Sequence, residues 1–185
     1  LTNCTISGND AKADGGGIIT EEHSASNGTI LNVEACVISE NTTGKSGGAL
    51  RVFGDANVIN SMMCSNHASE FGGAIFMDGY SNLKLTADSI SGNVGDSGGG
   101  GIWTSDDKGS VSIEGALTII ENAGSDVALN GGEKLTVTDQ LTEGTTIGIC
   151  IDSGSGTFTE GLHDKNPVTY PGDLFVAPAG QAVIA

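Results

Sequence analysis

Four residues suited to molecular recognition occupy one equivalent place in this sequence. Ile19, Arg51, Phe76 and Trp103 each follow an apolar residue that comes directly after a glycine-rich run. Neighbouring residues of a strand point to opposite faces, so we expect these four to point outward and to stack in one column. Exposed aromatic rings bind sugar rings or protein partners. The four are therefore the candidate ligand-binding residues, unless a linker loop or a neighbouring domain covers them.

A second pattern with chemical meaning is Gly-Asp-Ser-Gly-Gly at residues 95–99. It matches the sequence around the nucleophile of trypsin-like serine proteases. Those enzymes also need a histidine within a Thr-Ala-Ala-His-Cys-like segment, and the earlier histidines, His23 and His67, lack that context. Because a catalytic triad is defined by geometry and roles, we interpret the match as a coincidence.

The elements that must position these residues come from a repeat. An asparagine, five mostly small or polar residues, two glycines and then an apolar residue recur in four copies. An asparagine also ends a fifth, degenerate copy without the glycine pair. Successive asparagines are 32, 25, 27 and 29 residues apart, a period typical of solenoids. The repeat asparagines are Asn9, Asn41, Asn66, Asn93 and Asn122.

Each repeat contains two strand-like runs in which apolar residues alternate with other residues, and no run has a helical period. One run precedes the asparagine, and the other follows the glycines. Two strands and two turns per repeat predict a right-handed parallel β-helix of about five coils. Equivalent asparagines would then stack at one turn, where they adopt unusual backbone angles and share amide hydrogen bonds.

The repeat pattern ends after Asn122 and divides the chain into two predicted parts. Residues 1–136 are expected to form the β-helix, and residues 137–185 a β-rich C-terminal cap, because solenoids need atypical ends to protect their open edges. No signal peptide or apolar run of about 18 residues is present, so no membrane insertion is expected. Since Leu1 lies within a repeat, we expect the segment responsible for export to precede it.

Composition excludes one class of partner. The net charge is −16, with only seven Lys and Arg residues. Nucleic-acid binding requires basic side chains that neutralise phosphates, so no nucleic-acid partner is expected. Thirty glycines and 4% aromatic residues fit a stacked β-architecture.

Calcium is the one metal ion that the sequence allows as a cofactor. Five aspartates could supply oxygen ligands to it, namely Asp10, Asp14, Asp96, Asp106 and Asp107. No calcium-loop motif is present, so no metal site is assigned. Four cysteines without a CxxC motif do not predict a disulfide framework or a metal site. Cys4 and Cys36 hold the same place in the repeat, so they are expected on neighbouring turns as small buried thiols.

The glycine and asparagine motifs resemble those of right-handed parallel β-helix surface proteins. Residues 47–50 and 72–75 pair a Gly-Gly-Ala-apolar motif with Ile-Ser-Gly-Asn at 6–9 and 90–93. The polymorphic outer-membrane proteins of chlamydiae pair GGAI with FxxN motifs in a similar way, although this chain has Ile or Met where they have Phe. The segments at 135–138 and 144–149 are similar to the closing part of β-helix surface proteins of gut Gram-positive bacteria.

This resemblance implies a bacterial extracellular or cell-surface location and a role as a non-enzymatic stalk or adhesin, which binds a glycan or a surface protein. The fold also carries polysaccharide lyases and hydrolases of the pectate-lyase-like class, so a carbohydrate-active enzyme is the alternative. Lyases of this class use calcium and a basic residue, and Arg51 is the only arginine. Hydrolases need carboxylates that face a common bond, and Asp14, Asp78, Asp88 and Asp96 share no register. Self-association into a fibre is a third expectation.

Overall fold

The computed structural model describes residues 1–21, 30–105, 109–130, 134–151, 159–162 and 175–176. These residues form an all-β parallel solenoid of about four turns. The predicted fold class is confirmed. The sequence predicts about five coils, and the complete turns are followed by strands that continue three of the four faces described below.

Each complete turn contains four strands. In chain order they are β1 (Thr5–Ser7), β2 (Asp10–Ala11), β3 (Ile18–Ile19), β4 (Ile30–Glu34), β5 (Val37–Ser39), β6 (Thr42–Thr43), β7 (Leu50–Val52), β8 (Asp55–Ile59), β9 (Met62–Cys64), β10 (His67–Ala68), β11 (Ile75–Met77), β12 (Asn82–Thr86), β13 (Ser89–Ser91), β14 (Val94–Gly95), β15 (Ile102–Thr104) and β16 (Ser110–Gly115). The strands that follow are β17 (Thr118–Ile120), β18 (Val127–Leu129), β19 (Leu135–Leu141), β20 (Thr146–Ile151), β21 (Thr159–Glu160) and β22 (Phe175–Val176).

Equivalent strands of successive turns pair in parallel and form four faces. Face 1 contains β1, β5, β9, β13 and β17, and face 2 contains β2, β6, β10 and β14. Face 3 contains β3, β7, β11, β15 and β18, and face 4 contains β4, β8, β12, β16, β19 and β21. Strand β20 pairs first with β17 and then with β18, so faces 1 and 3 meet there, and β22 pairs with β20.

The core consists of aliphatic ladders that run along the solenoid axis. On face 1 the ladder contains Ile6, Ile38, Met63, Ile90, Ile119 and Ile147. On face 3 it contains Ile18, Leu50, Ile75, Ile102, Val127 and Ile149. Most of these side chains are fully buried, and each contributes roughly 1.5–3 kcal/mol through burial. The alternation in the sequence correctly predicts the inward positions of Ile38, Met63, Ile90 and Ile119 on face 1 and of Ile18, Leu50, Ile75 and Ile102 on face 3.

The paired glycines of the repeat have two different physical tasks. Gly47 has a φ of +76°, a conformation that side chains rarely adopt. A Cβ atom on Gly48 would lie 2.1 Å from the carbonyl oxygen of Gly73 on the next turn. The first glycine therefore allows the turn into face 3, and the second allows neighbouring turns to stack closely.

The asparagines form the predicted ladder at the turn between faces 1 and 2. The backbone N–H and the side-chain Nδ2 of each asparagine both donate to Oδ1 of the asparagine on the next turn; for Asn66 and Asn93 the distances are 3.0 and 2.9 Å. The ladder ends on a residue that the repeat does not include, because Asn122 donates in the same way to Oδ1 of Asp126, at 2.8 Å from both nitrogens.

One detail of the asparagine prediction is wrong. The asparagines themselves do not have positive φ angles; the residue before each of them does, as with Glu40 at +57° and Ser65 at +56°. The left-handed residue turns the chain, so that the following asparagine points into the solenoid.

The C-terminal part of the described chain continues the faces of the solenoid. Strand β19 pairs with β16, and β21 pairs with β19. The turn between faces 1 and 3 shortens from residues 121–126 between β17 and β18 to Gly148 alone within β20. The boundary at residue 137 stays a prediction. Within the described ranges, no helix is long and apolar enough to cross a membrane.

Candidate functional site

The candidate ligand-binding residues lie side by side on the outer surface of face 3. Ile19 pairs with Arg51, Arg51 with Phe76 and Phe76 with Trp103, so each occupies a successive turn. We call these four residues the outer column. Their register follows from the repeat spacing, and their role in binding stays a prediction.

Arg51 is held by acidic and aromatic neighbours and is only 18% exposed. Its Nε and Nη2 donate to the carboxylate of Asp78 at 2.8 and 3.2 Å, and Nη1 contacts Asp14. The guanidinium lies 4.8 Å from the ring centre of Phe53 and 5.1 Å from that of Phe76. Cation–π contact and a bidentate ion pair both require this planar group, so a lysine would not be equivalent.

The charge state of Arg51 limits its chemistry. Burial would lower the pKa of Arg51, but hydrogen bonds and charges from Asp78 and then Asp14 raise that pKa above its ordinary value. The guanidinium therefore stays protonated within this cluster. Lys45, whose Nζ lies 3.9 Å from Oδ2 of Asp14, adds a second positive charge, so two carboxylates face two cations.

The two aromatic residues of the outer column differ in exposure. Phe76 is only 8% exposed, because the Arg51 guanidinium lies over its ring. Trp103 is partly exposed and stacks on Phe71 of the preceding turn, with ring centres 4.4 Å apart and an angle of 25° between the planes. The flat apolar patch expected from Phe76 and Trp103 is therefore smaller than predicted. Among the apolar residues of the outer column, Trp103 and Ile19 are accessible, and Ile19 is 45% exposed.

A glycine turn makes room for the indole ring. A Cβ atom on Gly98 would lie 2.9 Å from Cζ3 of Trp103, and one on Gly99 would lie 2.8 Å from its Cβ. The equivalent of Gly98 on the preceding turn is Phe71, to which it is bridged. The turn thus replaces a ring with a glycine, and Trp103 fills that space.

The protease-like pentapeptide at 95–99 lies in the turn from face 2 to face 3. Oδ1 of Asp96 lies 3.0 Å from Nε2 of His67, and both side chains are exposed. The backbone N–H of Ser97 donates to the carbonyl of Glu70. In the part of the chain that the structure describes, no serine hydroxyl hydrogen-bonds to His67.

The described residues contain no cluster of side chains suited to a metal ion. No group of three or more His, Cys, Asp and Glu side chains that could hold an ion occurs among the described residues. Asp10 pairs with Lys12, and Asp14 with Arg51 and Lys45. Asp106 and Asp107 lie outside the described residues. Calcium stays a prediction from the sequence.

One buried acid lies away from the outer column. Asp88 is almost fully buried at the turn between faces 4 and 1, where its two carboxylate oxygens accept hydrogen bonds from the backbone N–H groups of Ser61 and Thr86, both at 2.8 Å. Burial raises the pKa of Asp88 to about 7, although these hydrogen bonds oppose the shift. Ser61 occupies the equivalent place on the preceding turn and accepts from the N–H of Cys36.

Sequence reasoning missed the residues that surround the outer column. Asp14 and Asp78 share no register, yet the long side chain of Arg51 reaches both of them. Phe71 precedes a glycine pair, and the other turns have Asp14, Ser46 and Gly98 at that place. The aromatic ring of Phe71, at a position that is small or polar in the other turns, is the feature of the sequence that could have indicated this contact with Trp103.

Comparisons of the chain with protein-family models, with curated proteins and with solved structures found no match. Of the resemblance described from the motifs, the structure supports the parallel β-solenoid architecture.

Proposed function

We propose that this chain is a non-enzymatic stalk or adhesin module of an extracellular or cell-surface protein, and that it binds a glycan or a surface protein through the outer column. The observation that supports the proposal most is the structure around Trp103. Its ring is partly exposed, stacks on Phe71 and packs against the backbone of Gly98 and Gly99. A rigid aromatic ring at an accessible place costs little conformational entropy on binding.

The rest of the solenoid supports a role as a stalk that carries the outer column. Every turn is fixed to the next by parallel strands, by aliphatic ladders and by the asparagine ladder. Such a stack resists bending because each complete turn pairs with the next along all four faces. The outer column therefore lies on an inflexible support.

Binding to a broad array of neutral and acidic glycans, with and without calcium, tests the proposal. We expect binding without cleavage, and loss of that binding in Trp103→Ala. The matched control is Met62→Ala, which removes an exposed apolar side chain from face 1 and should leave binding unchanged. Equal loss of binding in both variants, with unchanged melting temperatures, would contradict recognition by the outer column.

A carbohydrate-active enzyme is the second candidate, because the structure brings two carboxylates together beside aromatic rings. Asp14 and Asp78 both contact Arg51. Release of unsaturated or reducing ends from any glycan would establish this activity. In an enzyme, Asp78→Asn would then abolish cleavage. In a binding module, neither wild type nor Asp78→Asn releases a product, and the substitution changes only stability.

A further inference from the structure

Two cysteines are stacked directly on one another at the turn between faces 4 and 1. Cys4 precedes β1 and Cys36 precedes β5, and the two strands pair in register from Thr5 and Val37 onward. The N–H of Val37 donates to the carbonyl of Cys4 at 2.9 Å. Parallel neighbours lie about 4.8 Å apart, which falls within the range of about 4.4–6.8 Å between the Cα atoms of disulfide-bonded cysteines.

The side chains of Cys4 and Cys36 lie on the same side of the paired strands. The backbone N–H of Cys4 donates to Sγ of Cys36 at 3.3 Å. Each thiol also donates to the carbonyl two residues before it, Thr2 for Cys4 and Glu34 for Cys36. The two side chains therefore point the same way, and rotation of Cys4 about its Cα–Cβ bond brings its sulfur towards that of Cys36.

The other described cysteines have different neighbours. Cys64 pairs with Ser39 on one side and Ser91 on the other, and Cys150 pairs with Ala128. Cys4 is partly exposed, whereas Cys36 is buried. One thiol of the stacked pair is thus accessible to a reagent, and the second lies directly behind it.

We propose that Cys4 and Cys36 form a disulfide that joins the first two turns of the solenoid, with a low-molecular-weight disulfide as the oxidant. The Cys4 thiolate attacks the reagent and forms a mixed disulfide, which releases one reduced thiol. The Cys36 thiolate then attacks the Cys4 sulfur, breaks the mixed disulfide and releases the second thiol. The two cysteines lose two protons and two electrons, and the reagent disulfide is reduced to two thiols.

Treatment of the full chain with oxidised glutathione at pH 8 tests the proposal. Peptide mapping should find the Cys4 and Cys36 peptides joined and two hydrogens lighter than the reduced pair. The oxidised protein should melt roughly 5–12 °C above the reduced one, because the bond closes a long segment of the unfolded chain. Cys64 should carry at most a glutathione adduct, since no cysteine is stacked on it.

The matched variants separate the two chemical steps. Cys36→Ser should keep glutathione on Cys4, because the resolving thiol is absent, whereas Cys64→Ser should form the internal bond as the wild type does. A stable glutathione adduct on Cys4 of the wild type would overturn the proposal. So would a bond to Cys64, a covalent dimer, or unreacted Cys4 and Cys36 after Cys64 has reacted.

Discussion

The asparagine ladder and the outer column are both stacks of equivalent residues, but they differ in what they repeat. The ladder has an asparagine at five equivalent places, on the four complete turns and on the partial turn that follows, and it ends on Asp126. The outer column changes at every turn, from Ile19 to Arg51, Phe76 and Trp103. A position that must bond to its own copy above and below keeps one residue type, whereas an outward position is free to vary.

A third stack lies between these two extremes. At the turn between faces 4 and 1, side-chain atoms of Cys36, Ser61, Asp88 and Thr145 accept hydrogen bonds from the backbone N–H of the preceding turn. Here the chemistry is repeated and the residue is not. Stacking therefore determines the residue type at a position only as far as its hydrogen bonds to the next turn require. Positions where the residue type varies and the side chain has specific partners, such as Arg51, are the candidates for recognition.

Breaking the asparagine ladder at its centre should have the largest effect. In Asn66→Ala the buried N–H and Nδ2 of Asn41 lose their acceptor, and the carbonyl of Ile38 loses its donor. We expect the free energy of unfolding to fall by about 3–5 kcal/mol in chemical denaturation. Asn9→Ala, at the exposed start of the ladder, should cost about 1 kcal/mol. Equal losses at the two positions would contradict the ladder as a buried network.

Replacing Asp88 with the serine of the preceding turn tests whether the third stack needs an acceptor or a charge. The folded-state pKa of about 7 lies above the ordinary value of 3.8, so the folded protein binds more protons between these values, and this group lowers stability as the pH rises. The stability of Asp88→Ser relative to wild type should increase by roughly 2–4 kcal/mol between pH 4 and pH 8. Thermal unfolding across this range measures it, and a difference independent of pH would disprove the buried charge.

Removing Arg51 tests the outer column as a structural cluster. Arg51→Ala leaves Asp78 without its cation, leaves Asp14 with Lys45 alone and uncovers Phe76, so we expect a loss of about 2 kcal/mol in the free energy of unfolding. Lys84, whose pair with Glu114 lies on face 4, is the control. Lys84→Ala should change stability by about 0.5 kcal/mol, because surface ion pairs contribute little. If Arg51→Ala lowered the free energy of unfolding by no more than Lys84→Ala does, the ion pairs of Arg51 would be solvated like those at the surface.

The smallest change concerns the stacked ring pair. Phe71→Ala removes the ring beside Trp103, so the indole becomes more exposed to water. The emission of the single tryptophan should shift to longer wavelength, with a stability loss of about 1 kcal/mol. Phe53→Ala, which removes a ring that contacts Arg51, is the control and should leave the emission unchanged. An unshifted spectrum in Phe71→Ala would show that the pair is not formed in solution.

The fold could be predicted from the sequence because its determinants repeat. The spacing of Asn41, Gly47 and Leu50 recurs in other turns and fixes the strands, the turn and the inward face together. The end of the ladder could not be predicted. Asp126 lies only four residues after Asn122, in a shortened turn, and acts as the acceptor that a further asparagine would have supplied.

The candidate site could be predicted only in its register. Alternation places Arg51, Phe76 and Trp103 in one column, but exposure depends on which side chains lie over them. The guanidinium of Arg51 covers Phe76, and Asp14 and Asp78 reach Arg51 from unequal places in their turns. Contacts that long side chains make between turns do not follow the repeat, so the sequence pattern does not predict them.

Recognition by the outer column is tested most directly by the affinity of wild type, Trp103→Ala and Met62→Ala for the strongest ligand found on the glycan array. We expect Trp103→Ala to lose at least tenfold in affinity while its melting temperature falls by only a few degrees, because it loses one stacked ring pair. Met62→Ala should bind as wild type does. Wild-type affinity in Trp103→Ala would contradict recognition by the outer column and leave the solenoid as a spacer.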